Sequence, residues 1–461
     1  MHQTSAKFQT VKTETLLTLK LGAPVVITQL LAMSMNFTDT VMAGNLSARD
    51  LAAVAIGGAL VAPLFVFTIG VILIINPIVA QHLGGKKHDE IGKIFWQGVW
   101  LSIMLAIPFF FALRNMQPIM KMFGLDPQMY DITSGYLRAY SWGIPASTLF
   151  FMMRYFNEGL GVMKPAMYFS IIGLVVNIIG NYAFMYGHFG MPALGAIGTG
   201  WATAIVWWVM ACCIALFSFQ TENNRRFRLF HHFRLPLWTY FIEILHIGFP
   251  NGISFCIEVT MFAVVALIIG SLGVNPMAAH QITINFAATT FMIPLGLSIA
   301  TTSRVGFAVG EADPAKARLL GFIGISLSAI IMSMTALLMI SVPEFIVHIY
   351  TDDNAVKEIA VKLLFLAGVF QISDGLQVSA SGALRGLKDT KIPMIVNLIS
   401  YWMVGMPLGY FLGIRFGLGV EGLWMGLIAG LTVAAGLHNW RFYRISKVAE
   451  ALPLAVQKEI I

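Results

Sequence analysis

Between Gly22 and Ala48 the sequence is apolar almost throughout, and its one ionised side chain is Asp39. A carboxylate at the centre of a membrane helix costs about 2.5–3.5 kcal/mol. Such a residue is kept for what it does, and a carboxylate in oil can exchange a proton or hold a cation. Asn36 precedes it by three residues and so shares its helical face as polar support. Pro24 supplies no backbone donor and marks a kink or hinge in the same run. Asn177 and Asn181 are four apart, on one face of a stretch without charge from Pro165 to Gly187. Interhelical packing alone would give such amides about 0.6 kcal/mol each. With Asp39 and Thr203 they read as a network that binds a proton or Na⁺.

The second half carries its own acids. Glu258 is the only charge between His246 and Arg304, and Asp374 is flanked at i−3 and i+3 by Gln371 and Gln377. Carboxylate and amide oxygens suit a hard cation, so the metal reading is Na⁺ at Glu258 and Asp374. The competing reading is a pair of satisfied buried acids. His280, Gln281 and Asn285 lie close together on one run, as a relay or as structural polar groups. Glu158, Lys164, Arg385 and Lys391 sit at expected cytoplasmic turns, where topology or helix capping accounts for them.

These residues need long apolar elements to hold them. Of 461 residues, 57% are hydrophobic and 11% charged, too few charges to cover a water-soluble surface. Many apolar runs exceed 18 residues without period-two alternation, which excludes a barrel and predicts an all-α integral membrane protein. Twelve spans are expected, at about 15–43, 52–82, 94–113, 132–158, 166–187, 193–219, 240–271, 279–306, 317–341, 356–384, 393–414 and 420–442. The first follows a polar, basic start and is long enough to remain as an anchor. Lys and Arg concentrate in the even-numbered loops and the termini, Arg225, Arg226, Arg228 and Lys458 among them. Both termini are therefore expected in the cytoplasm, and the net charge of +7 reflects membrane topology rather than nucleic-acid binding. Cys212, Cys213 and Cys256 lie within apolar runs without metal-ligand spacing.

The chain repeats itself. Gly22-Ala-Pro24 matches Gly248-Phe-Pro250, and Gly44, Gly70 and Gly84 match Gly270, Gly296 and Gly310, all 226 residues apart (296 − 70). Gly159-Leu160, Lys164 and Gly195 match Gly386-Leu387, Lys391 and Gly422 at 227. A constant offset across six spans implies one backbone path used twice. Two pseudo-symmetric six-helix bundles are expected, an N-lobe at 1–220 and a C-lobe at 240–461 with a cytoplasmic tail. A cytoplasmic linker at 221–239 joins them, with a cleft near the midplane. The acids do not follow the repeat, since the position matching Asp39 is Val265. The 26 Met and 34 Phe provide adaptable apolar surface. No zinc-protease, phosphate-loop or nucleophile-elbow motif is present, so no enzyme activity and no cofactor is expected, and an ion gradient would drive transport.

Asn36-Phe-Thr-Asp39-Thr-Val-Met-Ala-Gly44 resembles the first-helix signature of the multidrug and toxin extrusion (MATE) transporters. Phe255 through Thr260, Ala278-Ala-His-Gln281, Arg304-Val-Gly306, Gln371 through Asp374 and Arg385-Gly386 through Thr390 resemble further motifs of that family, closest to its NorM-like bacterial branch. The resemblance implies multidrug efflux by cation-coupled antiport and alternating access at the bacterial inner membrane. Its substrates would be amphipathic, mostly cationic drugs, dyes and fluoroquinolone-like compounds, and the protein would work as a monomer in the lipid bilayer. It maps N-lobe coupling onto Asp39, Asn177, Asn181 and Thr203, and a C-lobe cation site onto Glu258 and Asp374. Phe370 stands where some Na⁺-using members carry Tyr, which favours H⁺ over Na⁺ as coupling ion. A lipid-linked oligosaccharide flippase of the same superfamily is the alternative; it would need a more cationic cavity than these acids suggest. A membrane enzyme is the other, and it lacks a recognisable nucleophile or metal cluster.

Overall fold

The computed structural model describes residues 2–122, 124, 126–221, 227, 229 and 234–451. Arg225, Arg226, Arg228 and Lys458 of the topology argument lie outside them, as do parts of the linker and the end of the tail. The described residues are almost wholly helical: α1 (His2–Leu46), α2 (Ala48–Ile72), α3 (Ile75–Gly84), α4 (His88–Arg114), α5 (Gln117–Met122), α6 (Tyr130–Ser141), α7 (Ile144–Gly159), α8 (Lys164–Phe184) and α9 (Ala196–Gln220) in the first half. The second half holds α10 (Trp238–Ser271), α11 (Val274–Gly310), α12 (Pro314–Ser341), α13 (Pro343–His348), α14 (Asn354–Gly386) and α15 (Lys391–Asn397). Two wider π-helical stretches then flank α16 (Met406–Tyr410), and α17 (Gly419–Ala451) closes the chain.

Eleven of the expected spans are long and apolar enough to cross a membrane among the described residues. The remaining one, expected at 132–158, is formed by α6 and α7 and is broken at Trp142–Gly143. The cause is local. Pro145 cannot donate to the Ser141 carbonyl, and Trp142 and Gly143 turn back to Ala139 and Tyr140 with shorter-range bonds. Gly143 also lies so close to α9 that a Cβ there would sit 2.8 Å from the Ala204 Cα.

The chain forms two compact units: residues 1–26, 84–86 and 253–461, and residues 27–83 and 87–252. Apart from the short excursion at 84–86, it passes from one to the other inside α1 and inside α10, in each case two residues after a repeat-related proline, Pro24 or Pro250. Thus the N-terminal part of α1 belongs with the second-half helices. There Arg304 of α11 binds the Glu14 carboxylate, the Glu14 carbonyl and the Thr18 hydroxyl. The other unit packs around Tyr136, Leu137, Phe109, Ala53 and Ala43. Ser47 caps α2 by accepting from the Asp50 N–H (3.0 Å), and the Asp50 carboxylate accepts from the Ala196 N–H (2.7 Å) at the start of α9. One acid thereby serves two positive helix ends.

In the unit holding the second half, the core runs through Trp424, Tyr401, Phe370, Leu363 and Leu364. Gly405, Gly409 and Gly413 of the eleventh span face Gly422, Gly426 and Gly430 of α17. The Cα of Gly430 stands 3.1 Å from where a Cβ of Gly405 would be, and that of Gly426 stands 3.3 Å from a Cβ of Gly409. Small residues at every fourth position let two helix backbones touch.

Candidate functional site

Four elements meet at Asp39. The residue sits late in α1, buried to 8% exposure. Its Oδ1 accepts from Asn181 Nδ2 at 2.6 Å and Asn177 Nδ2 at 2.9 Å, both from α8. Both asparagines are fully buried, and the spacing of four that put them on one face aims both at one oxygen. Thr203 of α9 neighbours the carboxylate, and its hydroxyl donates to the Thr199 carbonyl at 2.9 Å. Tyr136 and Tyr140 of α6 border the same acid. The second amide atoms, Asn177 Oδ1 and Asn181 Oδ1, are buried with no hydrogen-bond partner among the described residues. Asn36 is not part of this group: it is exposed, and its side chain makes no hydrogen bond among the described residues. Pro24 lies fifteen residues upstream (39 − 24) inside a continuous helix.

Glu258 of α10 and Asp374 of α14 come together in the other unit, close enough to repel electrostatically. Neither carboxylate makes a direct hydrogen bond among the described residues, and Asp374 Oδ1 is fully buried. Gln371 turns away, donating to the Ala287 carbonyl (3.0 Å) and the Thr290 hydroxyl (2.7 Å) of α11. Tyr401 borders both acids. His280 is buried edge-on against Trp424, with ring centroids 5.8 Å apart, while Gln281 and Asn285 are exposed. Phe370 packs on the same Trp424 at 5.7 Å. Among the described residues no three His, Cys, Asp or Glu side chains cluster as a metal site.

Two groups assigned by sequence to cytoplasmic turns belong to the buried interior instead. Arg154 and Glu158 form an ion pair at 2.8 Å, with side chains 2% and 1% exposed, and Arg154 also donates to Gln29 Oε1 at 3.0 Å. Arg385 is 2% exposed; it donates to the hydroxyls of Ser298 (2.8 Å) and Ser381 (3.3 Å) and lies 5.7 Å from the Phe255 ring centroid. It is also the cation that acts on Glu258. The repeat relates these groups: Arg154, Glu158 and Gln29 correspond to Ser381, Arg385 and Phe255 (381 − 154 and 385 − 158 are 227; 255 − 29 is 226). An acid in one unit is replaced by an arginine in the other. The available signal was the i,i+4 spacing of Arg154 and Glu158, which suits a helical ion pair.

The comparisons agree with this architecture. The MatE family model matches the chain twice, at residues 24–183 and 250–411, with starting points 226 apart (250 − 24). The chain is 38% identical over 444 residues to the multidrug resistance protein NorM of Aliivibrio fischeri, covering 95% of this chain and 96% of that one. It is 41% identical over 427 residues to a probable multidrug resistance protein NorM of Xanthomonas axonopodis pv. citri, covering 93% of each. Its fold is similar to the crystal structure of the eukaryotic MATE transporter AtDTX14, with a TM-score of 0.87 at 18% identity over 98% of this chain and all of that one. The Vibrio cholerae MATE transporter VcmN in its bent form gives a TM-score of 0.84 at 16% identity, again over 98% of this chain and all of that one. With two copies of the family's repeat and such relatives along nearly its whole length, the chain belongs to the MatE family.

Proposed function

We propose that the protein exports amphipathic, mostly cationic compounds across the bacterial inner membrane by cation-coupled antiport, with H⁺ favoured over Na⁺. Dyes and fluoroquinolone-like drugs are the expected cargo. The N-lobe is read as 1–220 and the C-lobe as 240–461, joined by a cytoplasmic linker, with both termini cytoplasmic and the monomer as working unit. Support comes from relatives named as multidrug resistance proteins. The observation that carries the coupling is the buried Asp39 carboxylate with two amide donors on one oxygen.

The chemistry follows from that geometry. Ionised Asp39 is suited by two N–H donors, worth about 1.5–3 kcal/mol each for a charged acceptor. Once protonated, its O–H needs an acceptor. The buried amide oxygens of Asn177 and Asn181 supply one if either amide rotates. Proton binding thus exchanges one hydrogen-bond pattern for another across α1 and α8. Pro24 is the hinge that accommodates the change in α1. Each charge entering down about 100 mV supplies roughly 2.3 kcal/mol, enough for about a fiftyfold gradient of neutral cargo. In the second half, Glu258 and Asp374 offer closely placed carboxylates for a cation, Na⁺ included, with Arg385 as the resident competitor. The flippase reading loses support because the buried arginines Arg154 and Arg304 are each paired with an acid, and the third, Arg385, acts on Glu258.

Proteoliposomes loaded with a cationic dye test this proposal when energised separately by a pH gradient and by a Na⁺ gradient. Efflux that follows the pH gradient and is lost in Asp39→Asn is the expected result. Wild-type efflux by well-folded Asp39→Asn would overturn the assignment.

A further inference from the structure

A groove of about 540 Å³ runs along an exposed apolar side of α4, α7 and α9, within one unit. Its walls include Ile103, Ile107, Phe110, Phe111, Trp142 and Trp208. Five of these are exposed, although the surrounding unit buries large apolar side chains elsewhere. The polar atoms along it are already engaged. Ser102 donates to the Gly98 carbonyl of its own helix (2.9 Å), and the Trp208 indole donates to the Trp142 carbonyl (3.0 Å) at the break in the fourth span. What remains is a dry trough made by the helix break.

One end of the trough is cationic. Arg114 closes α4, with its guanidinium 5.0 Å from the Phe110 ring centroid and 5.6 Å from that of Trp142. It donates to Ser141 Oγ at a long 3.5 Å, and no carboxylate pairs with it among the described residues. Two rings therefore hold a half-buried guanidinium at the mouth with donors to spare. Arg138 is exposed on α6, one turn before Trp142.

The dimensions select the occupant. From Val99 to Phe111 the groove follows twelve residue steps of α4 (111 − 99), about 18 Å at 1.5 Å per residue. One leaflet of a 30 Å hydrocarbon core is about 15 Å deep, so a single acyl chain fits the length with its headgroup at Arg114. An amphipathic cation would instead meet a like charge there. We infer that this groove is a binding site for an anionic phospholipid, with one acyl chain in the trough and the headgroup phosphate on Arg114.

The test is native mass spectrometry of the full-length protein in detergent, titrated with phosphatidylglycerol or with phosphatidylcholine of the same chains. Wild type should retain one phosphatidylglycerol at about tenfold lower concentration than phosphatidylcholine, the scale of one charge-assisted contact. Arg114→Gln should reduce that preference to within about twofold at unchanged thermal stability, a loss again on the order of one such contact. Ile103→Trp, which fills the trough, should weaken both lipids alike. Equal retention of the two lipids by wild type, or an undiminished preference in Arg114→Gln, would mean annular lipid only and overturn the assignment. Displacement of the bound lipid by a cationic dye would overturn it in favour of a drug site.

Discussion

The two units use one backbone plan for opposite electrostatic purposes. Around Asp39 two neutral amides donate to one carboxylate oxygen, and elsewhere in the same unit Arg154 and Glu158 neutralise each other. Around Asp374 two acids face each other without direct donors, and the repeat puts Arg385 where the first half has Glu158. Gene-level repetition therefore preserves the helix contacts while the ionisable residues are exchanged. Built-in donors stabilise the ionised form of a carboxylate, so in the proposed cycle they help Asp39 release its proton. A pair of under-bonded carboxylates is suited to a mobile cation that supplies the missing charge.

The largest effect expected from breaking this comparison is on stability. Glu158→Gln leaves Arg154 buried without its counter-charge and should cost about 3–5 kcal/mol, read as a lowered unfolding temperature in detergent. The double variant Arg154→Met/Glu158→Met should recover most of it. At the position that the repeat relates to Arg154, Ser381→Ala should cost only about 1 kcal/mol, since Arg385 keeps Ser298. Equal losses at the two positions would show that the two clusters are not different in kind.

Next in size is coupling. Asp39→Asn should lower pH-gradient-driven efflux by at least about a hundredfold, roughly 2.7 kcal/mol on the transport barrier, while leaving dye binding within a few-fold. Asn177→Leu and Asn181→Leu, measured in the same proteoliposomes, should each lose about tenfold. If Asp374→Asn matched Asp39→Asn under a pH gradient and showed no sensitivity to Na⁺, the division of labour would fail.

A double-mutant cycle then sharpens the second site. Glu258→Gln and Asp374→Asn, each removing one of two repelling acids, should be non-additive by about 0.5–3 kcal/mol in thermal stability. Adding Na⁺ should stabilise wild type and leave the double variant unmoved. Smallest of all, Phe370→Tyr adds a hydroxyl beside Trp424 and should raise the Na⁺ dependence of efflux only a few-fold.

Much of this arrangement could be read before any coordinates. The spans follow from hydropathy, the repeat from the constant offset of its glycines, and the Asp39 cluster from an isolated acid plus two amides spaced by four. What escaped reading had a physical reason. A charge near the end of an apolar run has two explanations, loop topology and buried pairing, and only long-range contacts separate them. Arg385 is fixed by Ser298, 87 residues away (385 − 298), which no local pattern reveals. Asn36 shares a face with Asp39 by spacing, yet the burial that selects one excludes the other. The break in the fourth span was signalled by Gly143 and Pro145, but an apolar stretch of ordinary length concealed it.

The glycine ladder joining the eleventh span to α17 has a mechanical consequence. Where six facing residues carry no side chain, nothing can swivel, refill or slide to absorb strain, so the two helices behave as one plank. Whatever flexing accompanies a transport cycle must then be taken up at joints that keep some slack, and the plank offers a fixed rail along which such joints can work.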